Sequence, residues 1–261
     1  MKSKQKEKRA NRMLSIGTWI AILAGWYLYT ATIGSNSFML PSPAEVMAAF
    51  GTIIKEGYNG ISLSRHLIDS FRRLFIAVAL AAVTAVPLGL LSGYLPKIRA
   101  VVDSIVQFYR PIPPLAYYAL LIIWLGIEDE SKISLLFLAA FAPIYIACVS
   151  AVSGINEDYI LSAASLGASQ KDIFFKIILP ASLPDILTSL RTALGFAYTT
   201  LVAAEMTAAT SGIGWMVIDA SRYLKSDVMF VGIIIMGLTG VLMDSGLQYI
   251  ETKVVYWKGK D

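Results

Sequence analysis

Ionisable side chains set inside apolar runs are the places where this sequence could do chemistry, and they are few. Between residues 184 and 209, Arg191, Tyr198 and Glu205 recur every seven residues and share one helix face. Thr188, Thr192, Thr199, Thr200 and Thr207 lie on the same stretch. Charged groups at membrane depth are costly and normally face a protein interior or a wet cavity. At about 1.5 Å per residue, Arg191 and Glu205 stand about 20 Å apart and cannot pair directly. The face reads either as the lining of a polar route, or as Arg191 reaching to one interface while Glu205 caps a neighbouring helix. A second place is Tyr109 and Arg110, which adjoin Pro111-Ile112-Pro113-Pro114. Each proline removes a backbone donor, so this run cannot be regular helix. Broken backbone at membrane depth survives only inside protein or beside a cavity. Arg110 could hold an anionic group there or tie the break to a neighbour. Enzymatic chemistry is poorly provided for. His66 is the one histidine and Cys148 the one cysteine, too few for a Cys/His metal site or a histidine-based catalyst. No Gly-x-x-x-x-Gly-Lys-Ser/Thr loop occurs, so ATP hydrolysis by that route is excluded. We expect no catalytic residue, no metal and no cofactor.

The elements that must position these residues are membrane helices. Of the 261 residues, 56% are hydrophobic and 15% charged, with mean hydropathy +0.64. A soluble domain usually carries about a quarter charged residues. About 20 apolar residues cross a bilayer, and six stretches qualify: 14–33, 67–94, 101–127, 131–153, 184–209 and 228–250. The first follows a basic tail and exceeds a signal peptide's apolar core, so it reads as an uncleaved span. Nucleic-acid binding is disfavoured because the basic residues flank apolar runs and form no patch. With the N-terminus inside, thirteen Lys and Arg fall in inner segments and five (Lys55, Arg65, Lys132, Arg222, Lys225) in outer loops. That asymmetry places both termini inside, with Tyr256 and Trp257 anchoring the last helix. The chain divides into a basic tail (1–13), a first span (14–33), an outer segment with an amphipathic lead-in (34–66), a core (67–253) and an inner tail (254–261). In the lead-in, Leu63, Leu67, Phe71, Leu74 and Phe75 recur at helical spacing, and Asp69 can pair with Arg65, Arg72 or Arg73.

The inner loop 154–183 has its own design. Glu157 to Leu166 reads as a short helix stopped by Gly167. Ser169 and Asp172 make a Ser-x-x-Asp cap. A second helix follows through Ile173, Phe174, Ile177 and Ile178 and ends before Pro180, and Pro184 opens the next span. The small residues Ser162, Ala163, Ala164 and Ser165 form either a knob on which another surface docks or an ordinary connecting helix.

This loop resembles the "EAA" loop of binding-protein-dependent ABC importer permeases. That pattern is Glu-Ala-Ala, three residues, Gly, nine residues, Ile-x-Leu-Pro. Gly167, Ile177, Leu179 and Pro180 match, while the first three positions fall on Leu161, Ser162 and Ala163. The glutamate is missing, and Glu157 or Asp158 could stand in for it. Tyr109 to Ala116, Ile123 to Ile127, Leu201 to Glu205, Gly212-Ile213-Gly214 and Leu40 to Pro43 are similar to the taurine/sulfonate/nitrate branch, and within it most similar to taurine permeases. The resemblance implies an all-α type I importer permease fold and an ATPase-coupling loop at Leu161, Ser162, Ala163, Ala164, Gly167, Ile177, Leu179 and Pro180. It also implies a second permease copy, a cytoplasmic ATPase dimer, an extracytoplasmic binding protein and residence in a prokaryotic plasma membrane. The expected cargo is taurine or another alkanesulfonate, which Arg110 could hold transiently; nitrate or a small heterocycle is the alternative. The candidate pathway residues are Tyr109, Arg110, Pro111, Arg191, Tyr198 and Glu205. A gradient-driven secondary transporter would favour paired intramembrane carboxylates and inverted repeats, and neither is evident.

Overall fold

The structure is a computed structural model that describes residues 2–33 and 39–255. Tyr256, Trp257, Lys258 and Lys260 lie outside the described residues, as do the side chains of residues 2–9, Arg12 and Ile33. Every regular element among the described residues is helical. The chain clusters into two compact units, residues 1–63 with 216–234, and residues 64–215 with 235–261.

In the first unit, α1 (Lys2–Ile33) presents most of its described apolar side chains outward. Met13, Trp19, Ile20 and Tyr27 are each more than 60% exposed, which suits a helix solvated by lipid. Trp26 stacks on Phe230 and donates to the Pro41 carbonyl. The Leu40-Pro41-Ser42-Pro43 run is a helix start: Ser42 and Glu45 form a reciprocal capping box and Pro43 opens α2 (Pro43–Glu56). Beyond it, Tyr58 and Asn59 donate to Asp219 at 2.9 and 2.7 Å. Burial and that carboxylate raise the pKa of the Tyr58 hydroxyl.

The second unit holds the core. Helix α3 (Leu63–Tyr94) carries Ala77, Ala81, Ala85, Gly89 and Gly93 at four-residue intervals, and the three alanines are fully buried. A Cβ on Gly89 would sit 2.5 Å from Cys148 Cβ, and one on Gly93 2.6 Å from Val152 Cβ. The stripe therefore brings α3 into close backbone contact with α6 (Asp129–Ser153), the usual way membrane helices pack without a hydrophobic drive between them. Leu136, Ala140, Ile144 and Tyr145 of α6 join Ala193, Leu194, Ala197 and Leu201 of the helix Leu179–Ala208 in one buried cluster.

Among the described residues, five helices are long and apolar enough to cross a membrane, starting at Met13, Leu63, Asp129, Gln170 and Ser226. The expected third span, 101–127, is not one helix. It is α4 (Pro96–Tyr109) and α5 (Pro114–Leu125), divided at Arg110–Pro113 because the prolines withhold donors. The lead-in is also revised. It is the opening of α3 itself, and His66, Asp69, Ser70 and Arg73 are buried there. The Arg65–Asp69 pair does form, at 3.2 Å.

Candidate functional site

The loop follows its local signals up to Ile173. Asn156 accepts from the Asp158 amide at 2.9 Å and starts α7 (Glu157–Ser165). At the other end Gly167 has φ +85°, Ala168 N–H reaches the Ala163 carbonyl and Gly167 N–H the Ala164 carbonyl, both at 3.0 Å. These two bonds make a Schellman stop that needs a left-handed residue at position 167. Ser169 and Asp172 cap each other and begin α8 (Gln170–Ile173). From there the structure departs from the expectation. The chain does not stop before Pro180 but passes through a π turn at Phe174–Ile178 into α9 (Leu179–Ala208). Pro180 occupies the first turn of α9 and Pro184 its interior. The wide turn ahead of Pro180 relaxes the crowding that a proline ring imposes on the preceding turn.

Leu161, Ser162, Ala164 and Gly167 are exposed, while Ala163 is half-buried against the core. Leu166 is 89% exposed, an apolar side chain that the sequence did not single out. Ile177 and Pro180 are partly or fully exposed, and Ile178 is fully buried.

Around the middle of α6 lie three cavities that share walls. One of about 530 Å³ is bordered by Arg99, Asp103 and Gln107 of α4, by Arg110 just past its end, and by Tyr145 and Ser150 of α6. A second, about 680 Å³, runs from Ser150, Ala147 and Pro143 to Asn156, Asp185 and Thr192. A third, about 440 Å³, joins Tyr109, Arg110, Tyr117, Pro143, Ala147 and Thr200. Pro143 and Ala147 border the second and third, Ile146 and Arg110 the first and third. The Tyr109 hydroxyl donates to the Leu138 carbonyl at 3.4 Å.

The heptad face on α9 is divided among different neighbours. Arg191 pairs with Asp244 of α11 (Ser226–Val254), with Nη2 to Oδ2 at 2.9 Å. The Tyr198 hydroxyl donates to the Met236 carbonyl at 3.0 Å and lies 2.8 Å from Thr239 Oγ1. Both border a groove of about 220 Å³ with Gly240, Met243 and Asp244. Glu205 is elsewhere. It is 1% exposed and accepts from Ser70 Oγ at 2.8 Å, Arg73 Nη1 at 2.8 Å and the Gly214 amide at 3.0 Å. Arg73 also donates to Asp129 at 2.6 Å and to the Ser211 carbonyl at 3.0 Å. Ser70 Oγ accepts from the Ile213 amide and His66 Nδ1 from the Gly212 amide. Glu205 thus joins α3 to the start of α10 (Ile213–Arg222), the capping alternative named above, and Arg73 extends the network to Asp129 of α6. The hydroxyls of Thr192, Thr200 and Thr207 return to carbonyls four residues back, so their polarity is satisfied within α9.

The shape agrees with comparison to known proteins. The model of the family described as binding-protein-dependent transport system inner membrane component matches residues 85–256. The chain belongs to this family. It is 38% identical to the taurine transport system permease protein of Escherichia coli K12, over 95% of this chain and 90% of that one. It is 31% identical to a putative aliphatic sulfonates transport permease protein of Bacillus subtilis, covering 99% and 92%. It is 30% identical to a nitrate import permease protein of Synechocystis, covering 90% and 86%. Among solved structures, an inward-facing methionine ABC transporter superposes with TM-score 0.66 at 20% identity, over 74% of this chain and 95% of that one. The fold is therefore that of a type I ABC importer permease, and the chain is a multi-pass membrane protein of the taurine/sulfonate/nitrate branch. As a permease subunit it is not itself a catalyst, and ATP hydrolysis belongs to a separate ATPase. The family brings with it an ATPase and a substrate-binding protein as partners.

Proposed function

We propose that this permease passes a small alkanesulfonate, taurine foremost, into the cell, two copies forming the route. Both termini lie in the cytoplasm, as the lysine and arginine asymmetry favours. Loop 154–183 then faces the cytoplasm and meets the ATPase through Leu161, Ser162, Ala164, Leu166 and Gly167. The missing loop glutamate is replaced by the exposed Leu161, so this contact is apolar where an acidic residue would make it polar. ATP binding closes the ATPase dimer, and α7, fixed at its end by the Gly167 stop, carries the motion into α6 and α9. The route runs along the α6 face of Pro143, Ala147 and Ser150, past Tyr109 and Arg110.

The single observation that carries the substrate reading is the 38% identity to a taurine permease across 95% of the chain. Competition for uptake tests it. In cells expressing the chain with its ATPase and binding protein, unlabelled taurine and ethanesulfonate should suppress uptake of labelled taurine while nitrate does not. Suppression by nitrate alone, or no taurine uptake, would overturn it.

A further inference from the structure

The α4 helix carries a polar stripe that the importer's general working does not require. Arg99, Asp103, Gln107 and Arg110 fall three or four residues apart, so they lie on one face. That face borders the cavity of about 530 Å³, opposite Tyr145, Ile146, Val149 and Ser150. The charges within it are unequally satisfied. Asp103 accepts from the Tyr145 hydroxyl at 2.7 Å and pairs with Arg99 at 3.2 Å. The Arg110 guanidinium has no hydrogen-bonding or ion-pairing partner among the described residues. Three other cations of the long helices are tied down: Arg73 to Glu205 and Asp129, Arg191 to Asp244, Lys132 to the carbonyls of Ile127 and Glu128. A free guanidinium beside broken backbone is a standing receptor for a tetrahedral oxyanion.

We propose that this cavity is a transit subsite for a zwitterionic sulfonate, with Arg110 receiving the sulfonate oxygens and Asp103, oriented by Tyr145, receiving the ammonium. The proposal rests on the sulfonate reading above and adds which end of the cargo each residue meets. Arg110 lies two turns beyond Asp103, about 10 Å along the axis, and helical side chains slope toward the N-terminus, so Arg110 leans into the gap. Both groups border the same cavity of about 530 Å³, which has room for a two-carbon cargo. Each Asp103 oxygen accepts one bond and keeps a second lone pair for an ammonium. Tyr145 is 1% exposed, so it is a fixed support. The Arg99 pair is partly exposed and i,i+4, hence weak enough to yield to cargo.

Saturation-transfer NMR on the purified ATPase–permease complex, without binding protein, reads this contact directly. Wild type should transfer saturation to both taurine and ethanesulfonate, which lacks the amine. A charge-assisted hydrogen bond to the amine is worth roughly tenfold in affinity. Asp103→Asn should therefore cut the taurine signal about tenfold and leave ethanesulfonate within about twofold. Arg110→Gln should remove both, and Arg110→Lys should restore part of each. Should Asp103→Asn fail to assemble, Tyr145→Phe keeps the packing and should still lower taurine selectively. Taurine uptake by wild type without any transfer, or transfer indifferent to these variants, would overturn the subsite alone. Absence of uptake of every sulfonate would overturn the reading beneath it.

Discussion

Glu205→Ala removes a carboxylate that three donors from separate parts of the chain converge on. Ser70, the Gly214 amide and Arg73 each lose a partner within 3.0 Å, in a place only 1% exposed. Removing one member of a buried pair costs about 3–5 kcal/mol. The low end applies here, about 3 kcal/mol, because Arg73 keeps Asp129 and the Ser211 carbonyl. For a chain of this size, that loss lowers the unfolding midpoint by about 6–12 °C. The protein supplies its own reporter. Cys148 is its one cysteine and is fully buried, so a fluorogenic maleimide reacts only as the core opens. Glu205→Gln keeps the shape and two acceptor contacts and should lose less, about 1–2 kcal/mol. The pair Arg73→Met with Glu205→Leu should recover much of the loss, since matched apolar groups replace a buried ion pair without an orphaned charge. A midpoint within about 2 °C of wild type for Glu205→Ala would refute the argument that this network holds α3, α6 and α9 together.

Gly89→Leu should open the α3–α6 contact, because its Cβ alone would stand 2.5 Å from Cys148 Cβ and 2.8 Å from the Tyr145 carbonyl oxygen; maleimide should then label Cys148 at room temperature, and an unreactive thiol would count against the close packing. Leu166→Asp and Ser162→Arg should release the ATPase in co-purification while the permease stays inserted; these are cleaner probes than Ala163→Arg, because Ala163 packs on its own core. Cysteines introduced at positions 56 and 170 should differ in intact cells, the first labelled by an impermeant reagent and the second protected, and labelling at 170 would reverse the topology.

What the sequence made legible was local. The Gly167 stop and the Ser169–Asp172 cap depend on neighbours within a few residues, and the break at Pro111–Pro114 follows from absent amide donors. The seven-residue recurrence was less informative. An α-helix drifts about 20° per heptad, so Glu205 has rotated away from Arg191 by the second repeat, and its two side-chain partners lie 132 and 135 residues earlier. The part played by Arg73 and Ser70 is hidden for the same reason: nothing near them in sequence reveals Glu205. The alanine–glycine stripe on α3 gains meaning only from Cys148 and Val152 across the interface. The run through Pro180 and Pro184 depends on a π turn, which has no local composition signature comparable to a cap.

The central claim is that this chain moves a sulfonate under ATP control. Its most direct test is accumulation of labelled taurine in proteoliposomes holding the purified complex, with binding protein on the substrate side and ion gradients collapsed by ionophores. The account predicts accumulation that requires ATP on the ATPase side and stops with vanadate. Accumulation that ignores ATP and follows an imposed ion gradient would contradict it.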